Sequence, residues 1–159
     1  MRVRALVVVG AGFLVAALAA PAFAQPPDPW VGTWRLNSAK SKYSPGPPPQ
    51  SSRVTITATP GGIKQVTRTE PLTGPATEAQ VSAMFDGKDY PVTGNPNADM
   101  QSFTKLDSRS YEVVGKKGGK VTLTSTVVIS ADGKMRTTTQ TGTDAQGRPV
   151  NNTIVYEKM

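Results

Sequence analysis

An all-β domain, an antiparallel up-and-down meander of eight to ten strands closed into a barrel, is predicted by three features of the chain. Apolar and polar residues alternate with a period of two over most of its length, as in half-buried strands. Turn-forming groups recur at intervals of about a dozen residues, the spacing of a meander. Only one connection, residues 38–52, is long, whereas a Greek-key sandwich requires a long crossing between its hairpins.

Before the strands begin, residues 1–24 read as a secretory signal: Arg2 and Arg4, an apolar run from Ala5 to Ala20, then Ala22-Phe23-Ala24. The apolar run falls short of the roughly 20 residues of a spanning helix, so cleavage after Ala24 and a chain without a membrane anchor are expected. The expected location is the periplasm or the medium. Residues 25–30 form a proline-rich lead-in and residues 31–159 a single barrel domain.

Val31 to Asn37 alternates and carries Trp34, the first strand. Trp30, beside Pro29 and ahead of the strand, is expected to be a partial lid. The Pro45-Gly46-Pro47-Pro48-Pro49 cluster then forbids helix and central strand, giving a stiff crossing with no ladder of its own. Val54, Ile56 and Ala58 mark the inner face of the next strand, and Pro60-Gly61-Gly62 turns the chain into a return strand over 63–70. A strand over 77–85 follows, ended by Asp86-Gly87, a hairpin signal. The remaining strands are 101–106, 110–116, 120–130, 135–143 and 149–158. Within 120–130, Val121, Leu123, Ser125, Val127 and Ile129 form the buried face.

The strand over 135–143 has no apolar face. Arg136, Thr138 and Gln140 alternate with Thr137, Thr139 and Thr141, the pattern of a wet edge or a hydrated lumen. Nineteen threonines, nearly all in strands, point to a partly polar interior and so to a polar or amphipathic small-molecule ligand or ordered water. The alternative is an interior filled by side chains, with the protein acting as an envelope interaction or structural module.

The chain lacks His and Cys. Disulfides, nucleophile systems built on His or Cys, and zinc sites with those ligands are therefore excluded. No catalytic residue, metal or cofactor is expected. The net charge of +7 falls to +5 without Arg2 and Arg4, and its cations are scattered, so no nucleic-acid surface is expected. The expected state is a monomer. Residues 86–99 are the densest polar stretch, read as a rigid double turn or the lip of a binding site. Asn95, Asn97 and Asp99 alternate like the start of a calcium loop, but Met100 stands where glycine is needed and no closing Glu follows. The candidate ligand contacts are Tyr90, Asn95 and Asn97 at that lip, with Phe103, Tyr111, Arg136 and Tyr156 on strands.

Gly32-Thr33-Trp34, on a first strand followed by the long connection, resembles the lipocalin and fatty-acid-binding-protein group, the calycins. The whole mature chain is also similar to small exported bacterial proteins of lipocalin-like type, through Trp34-Arg35-Leu36-Asn37, Lys40-Ser41-Lys42-Tyr43, residues 86–99 and the ending from Asn151 to Glu157. The resemblance implies a closed barrel with Gly32 and Trp34 at its sealed end, and Lys158 as the basic side chain over Trp34. It implies no activity. The Arg-x-Tyr that holds a fatty-acid carboxylate has Ile154 in place of its arginine before Tyr156, and the second lipocalin motif is only echoed by Lys88-Asp89-Tyr90.

Overall fold

In the computed structural model, which describes residues 28–159, ten antiparallel strands close into one barrel. They are β1 (Gly32–Leu36), β2 (Ser51–Thr59), β3 (Gly62–Glu70), β4 (Thr77–Met84), β5 (Asp86–Thr93), β6 (Met100–Lys105), β7 (Ser110–Lys117), β8 (Lys120–Ile129), β9 (Met135–Thr143) and β10 (Pro149–Lys158). Each strand pairs with its neighbours in sequence, and β1 pairs with β10 to complete the circle. Closure leaves no edge for another chain to extend. The stretch expected to be a secretory signal, residues 1–24, and most of the lead-in lie outside the described residues.

The inward rows of β2 and β3 change character along the barrel axis. On β3 the row runs from Ile63 through Gln65 and Thr67 to Thr69, and on β2 from Ile56 and Val54 to Ser52. The apolar halves meet at one end around Trp30, Trp34, Phe103 and Tyr111, all fully buried. Trp30 packs at a tilt against Phe85, ring centres 5.1 Å apart, and edge to face against Tyr111 at 5.3 Å. A tight turn, Val31 N–H to Asp28 O at 3.0 Å, folds it inward. Trp30 is therefore part of the plug and not a partial lid, and the folded unit starts before residue 31. The Trp34 indole N–H donates to the Trp30 carbonyl at 2.8 Å, and the Lys158 ammonium lies 5.0 Å from the Trp34 ring centre. Gly32, at φ +132, leaves room for that lysine: a Cβ there would stand 2.9 Å from Lys158 Cε.

Three local expectations change. Residues 86–93 are strand β5 and not part of a double turn. Their side chains are mostly exposed, and the strand is held from one side by β6 and by the 2.7 Å Asp89–Lys116 ion pair. Toward β4 it pairs only at Gln80↔Thr93 and Val81↔Val92. Val121 is 60% exposed, because a bulge at Gly115/Lys116 shifts the register and leaves Leu123 as the first inward residue of β8. The long crossing does make a ladder contact: Lys42 and Thr153 exchange backbone hydrogen bonds of 2.7 and 2.8 Å. The short β1 leaves that side of β10 free beyond Leu36, and residues 41–44 occupy it.

The turns set an acid limit to stability. Ser110 Oγ and the Arg109 N–H, each at 2.7 Å, hold the Asp107 carboxyl below its ordinary value, as Ser130 and the Lys134 N–H do for Asp132 and as Asn37 and Lys40 do for Glu157. A group depressed in the folded state stabilises it above the unfolded pKa, and that contribution is lost as pH falls through the folded value. Burial, with Tyr156 beside it, pushes the Tyr43 phenol above the ordinary tyrosine range, so its contribution is lost as pH rises past the unfolded value. With no histidine to titrate, Tm is expected to stay level between about pH 5 and 8, and to fall below about pH 4 and above about pH 10. Calorimetric scans across pH check this; a step near pH 6.5 would contradict it.

Candidate ligand-binding cavity

Beyond the aromatic cluster the inward rows enclose a cavity of about 310 Å³, open at the end away from the tryptophans. More than half of its lining residues have polar side chains. β3 supplies Gln65, Thr67 and Thr69, β9 supplies Arg136, Thr138 and Gln140, and β10 supplies Tyr156. β9 offers polar residues to the lumen because a closed barrel has no wet edge for such a strand to occupy. Val81, Val92 and Ile154 add apolar wall.

Arg136 forms the floor. It is 5% exposed and is the first inward residue of β9 from the sealed end. Its Nη2 donates to the Tyr111 hydroxyl at 3.3 Å, and its guanidinium lies 5.3 Å from the Tyr156 ring centre. Tyr156 continues the polar chain through hydroxyl contacts to Ser52 at 3.3 Å and from Ser52 to Thr69 at 3.1 Å. Farther along the adjacent strands β8, β9 and β10, Gln140 donates to Ser125 at 3.2 Å and accepts from Asn152 at 3.1 Å. Among the described residues Arg136 is the only charged side chain in the lining.

The mouth is narrowed by the loop after β5, residues 94–99. The Thr122 hydroxyl donates to the Asn97 carbonyl at 2.8 Å, the Ala145 N–H to Asn97 Oδ1 at 2.9 Å, and the Gly118 N–H to Asp99 Oδ2 at 3.0 Å. These bonds tie the loop to the β7–β8 and β9–β10 turns, with Ala98 buried beneath it. Asn95 Oδ1 accepts the Asn97 N–H at 2.9 Å. The oxygens that spell a calcium loop are thus engaged in turn hydrogen bonds. Among the described residues no three His, Cys, Asp or Glu side chains converge as a metal group.

Of the residues singled out from sequence, Asn95, Asn97, Arg136 and Tyr156 line the cavity together. Phe103 and Tyr111 face inward but lie in the sealed aromatic cluster, so they stand beneath the cavity and not in its wall. Tyr111 reaches it only through its bond to Arg136. Tyr90 is half-buried against the core and donates to Asp86 at 3.0 Å, also outside the lining. Sequence reasoning passed over Gln65 and Gln101 as site residues. The alternation of Ile63, Gln65, Thr67 and Thr69 was the available signal for the first.

Four buried side-chain N and O atoms among the described residues lack a hydrogen-bond partner within the protein. Three of them, Gln65 Oε1, Arg136 Nε and Thr138 Oγ1, belong to residues of the cavity wall. In folded proteins such atoms are met by protein, ordered water or a ligand. Their gathering around one open cavity leaves its wall able to hydrogen-bond a polar occupant, water or ligand.

No family model and no curated protein matches the chain. A solved structure, the zebrafish ileal bile acid-binding protein complexed with cholic acid, aligns with 82% of this chain and 99% of that one, at 13% identity and a TM-score of 0.49. A likeness of that size carries no argument about ligand or activity. The barrel described above rests on its own strand pairing.

Proposed function

We propose that this chain is an exported binding protein that holds a small polar or amphipathic molecule in its barrel, without catalysing a reaction on it. The observation that carries the reading is the open, polar-walled cavity whose unpartnered hydrogen-bonding atoms cluster on residues of its lining. Binding without chemistry is supported by the lining itself, which pairs Arg136 with neutral amides and hydroxyls and offers no carboxylate or amine to exchange protons with it. Export to the periplasm or medium is supported by the charged start, apolar run and Ala-Phe-Ala site of residues 1–24. In this reading the mature chain acts as a monomer.

The test is extraction of protein purified from its native source, followed by mass spectrometry. The expected result is one polar or amphipathic compound released per chain on denaturation. Release of nothing beyond buffer components, from protein that also takes up no polar probe, would overturn the reading.

A further inference from the structure

We propose that the ligand is a small hydroxylated anion, carrying a carboxylate or a phosphate ester that docks on Arg136. The inference rests on the reading that the barrel interior is the binding site. A guanidinium has five donors in a planar fork suited to oxyanions. In this chain, among the described residues, its one hydrogen bond goes to the neutral Tyr111 hydroxyl, a long contact at 3.3 Å, and its Nε has no acceptor. Among the described residues Arg136 takes part in no ion pair, and residues 1–27 contain no Asp or Glu to reach it. A 95%-buried cation without a counter-charge is costly to keep, and the Tyr156 ring offsets only part of that cost. An oxyanion entering the cavity would supply the missing charge.

The wall above the floor states what else the ligand carries. Gln65 Oε1 accepts hydrogen bonds and cannot donate, so its unmet partner is an O–H or N–H on the ligand. Thr138 Oγ1, also unpartnered, exchanges hydrogen bonds with hydroxyls in either sense. The cavity lies at the small end of the ligand-pocket range of about 300–1,000 Å³. A sugar acid or sugar phosphate satisfies all three conditions. A long-chain fatty acid meets only the first.

The experiment titrates the protein with D-glucuronate, D-glucose 6-phosphate, D-glucose and decanoate, following the Arg136 Nε–Hε signal and the lining amides by NMR. At least one of the two sugar anions is expected to bind about tenfold or more tighter than glucose, because a charge-assisted hydrogen bond discriminates on that scale. Decanoate is expected to bind more weakly than that anion. Arg136→Gln should remove the anion preference, and Arg136→Lys should keep part of it. Equal binding of glucose and both anions, an intact preference in Arg136→Gln, or tighter binding of decanoate would overturn the proposal while leaving interior binding standing. Silence of every lining amide toward all four probes would overturn interior binding, and the proposal with it. A ligand-free arm needs no probe. Arg136→Met, which removes an uncompensated charge at similar length, is expected to raise Tm by a few degrees. A fall in Tm like that of an ordinary core truncation would show the charge already satisfied, and would overturn the proposal.

Discussion

Replacing either Trp30 or Trp34 by alanine is expected to remove about 3–5 kcal/mol of folding stability, the cost of deleting a large aromatic side chain from a core that cannot collapse around the space. Both are fully buried. Trp30 contacts Phe85 and Tyr111, and Tyr111 stacks on Phe103 at 6.2 Å, so its loss opens a void in the middle of the aromatic cluster. Trp34 fills the seam where β1 meets β10, beneath Lys158. The hydrogen bond between the two runs to the Trp30 backbone and survives the Trp30 truncation. Coupling between the two substitutions therefore reports packing alone. Lys158→Ala should lose only about 0.5–1 kcal/mol, as an exposed cation over an aromatic ring does. Urea titrations measure all of these. A loss below about 1 kcal/mol for either tryptophan would place that side chain outside the core.

Gly94→Ala is the second large expected effect. Gly94 adopts φ +69, and a Cβ there would stand 2.0 Å from the Glu78 carbonyl oxygen on β4. The left-handed backbone costs a non-glycine residue about 1–3 kcal/mol, and the clash with backbone adds to it because neither strand has a soft side chain to yield. The two β4–β5 pairings lie immediately before Gly94, so any shift opens the barrel where it is held most thinly. A total loss of about 2–4 kcal/mol is expected. Gly118→Ala is the control: the same handedness, φ +56, with nothing within 4 Å of the added carbon. Equal changes in Tm for the two variants would contradict the close approach.

The inward and outward faces of the strands were legible because alternation records them directly. β9, polar on both sides, pointed to a wet edge or a hydrated lumen; the barrel closes, and Arg136, Thr138 and Gln140 line its cavity. Height along the barrel was not legible. Phe103, Tyr111 and Arg136 all point inward, but only strand register decides that the first two fall among the tryptophans and the third at the cavity floor. Trp30 was obscured by its neighbouring prolines, since nothing local shows that a turn at Asp28 folds it under the barrel. β5 was missed because Asp86, Gly87, Lys88, Asp89 and Pro91 are poor strand formers, and the strand exists through its pairing with β6. The unpartnered atoms of Gln65, Arg136 and Thr138 have no sequence signature at all. They follow from which side chains the closed barrel brings together.

Crystallographic density inside the barrel tests the central claim most directly. Ordered water or a bound molecule is predicted between Gln65, Thr138 and Arg136, with the space above the Trp30 and Tyr111 cluster otherwise unfilled by protein. Side chains from β3, β9 and β10 packed across that space, with Arg136 paired to a carboxylate of the chain, would contradict it.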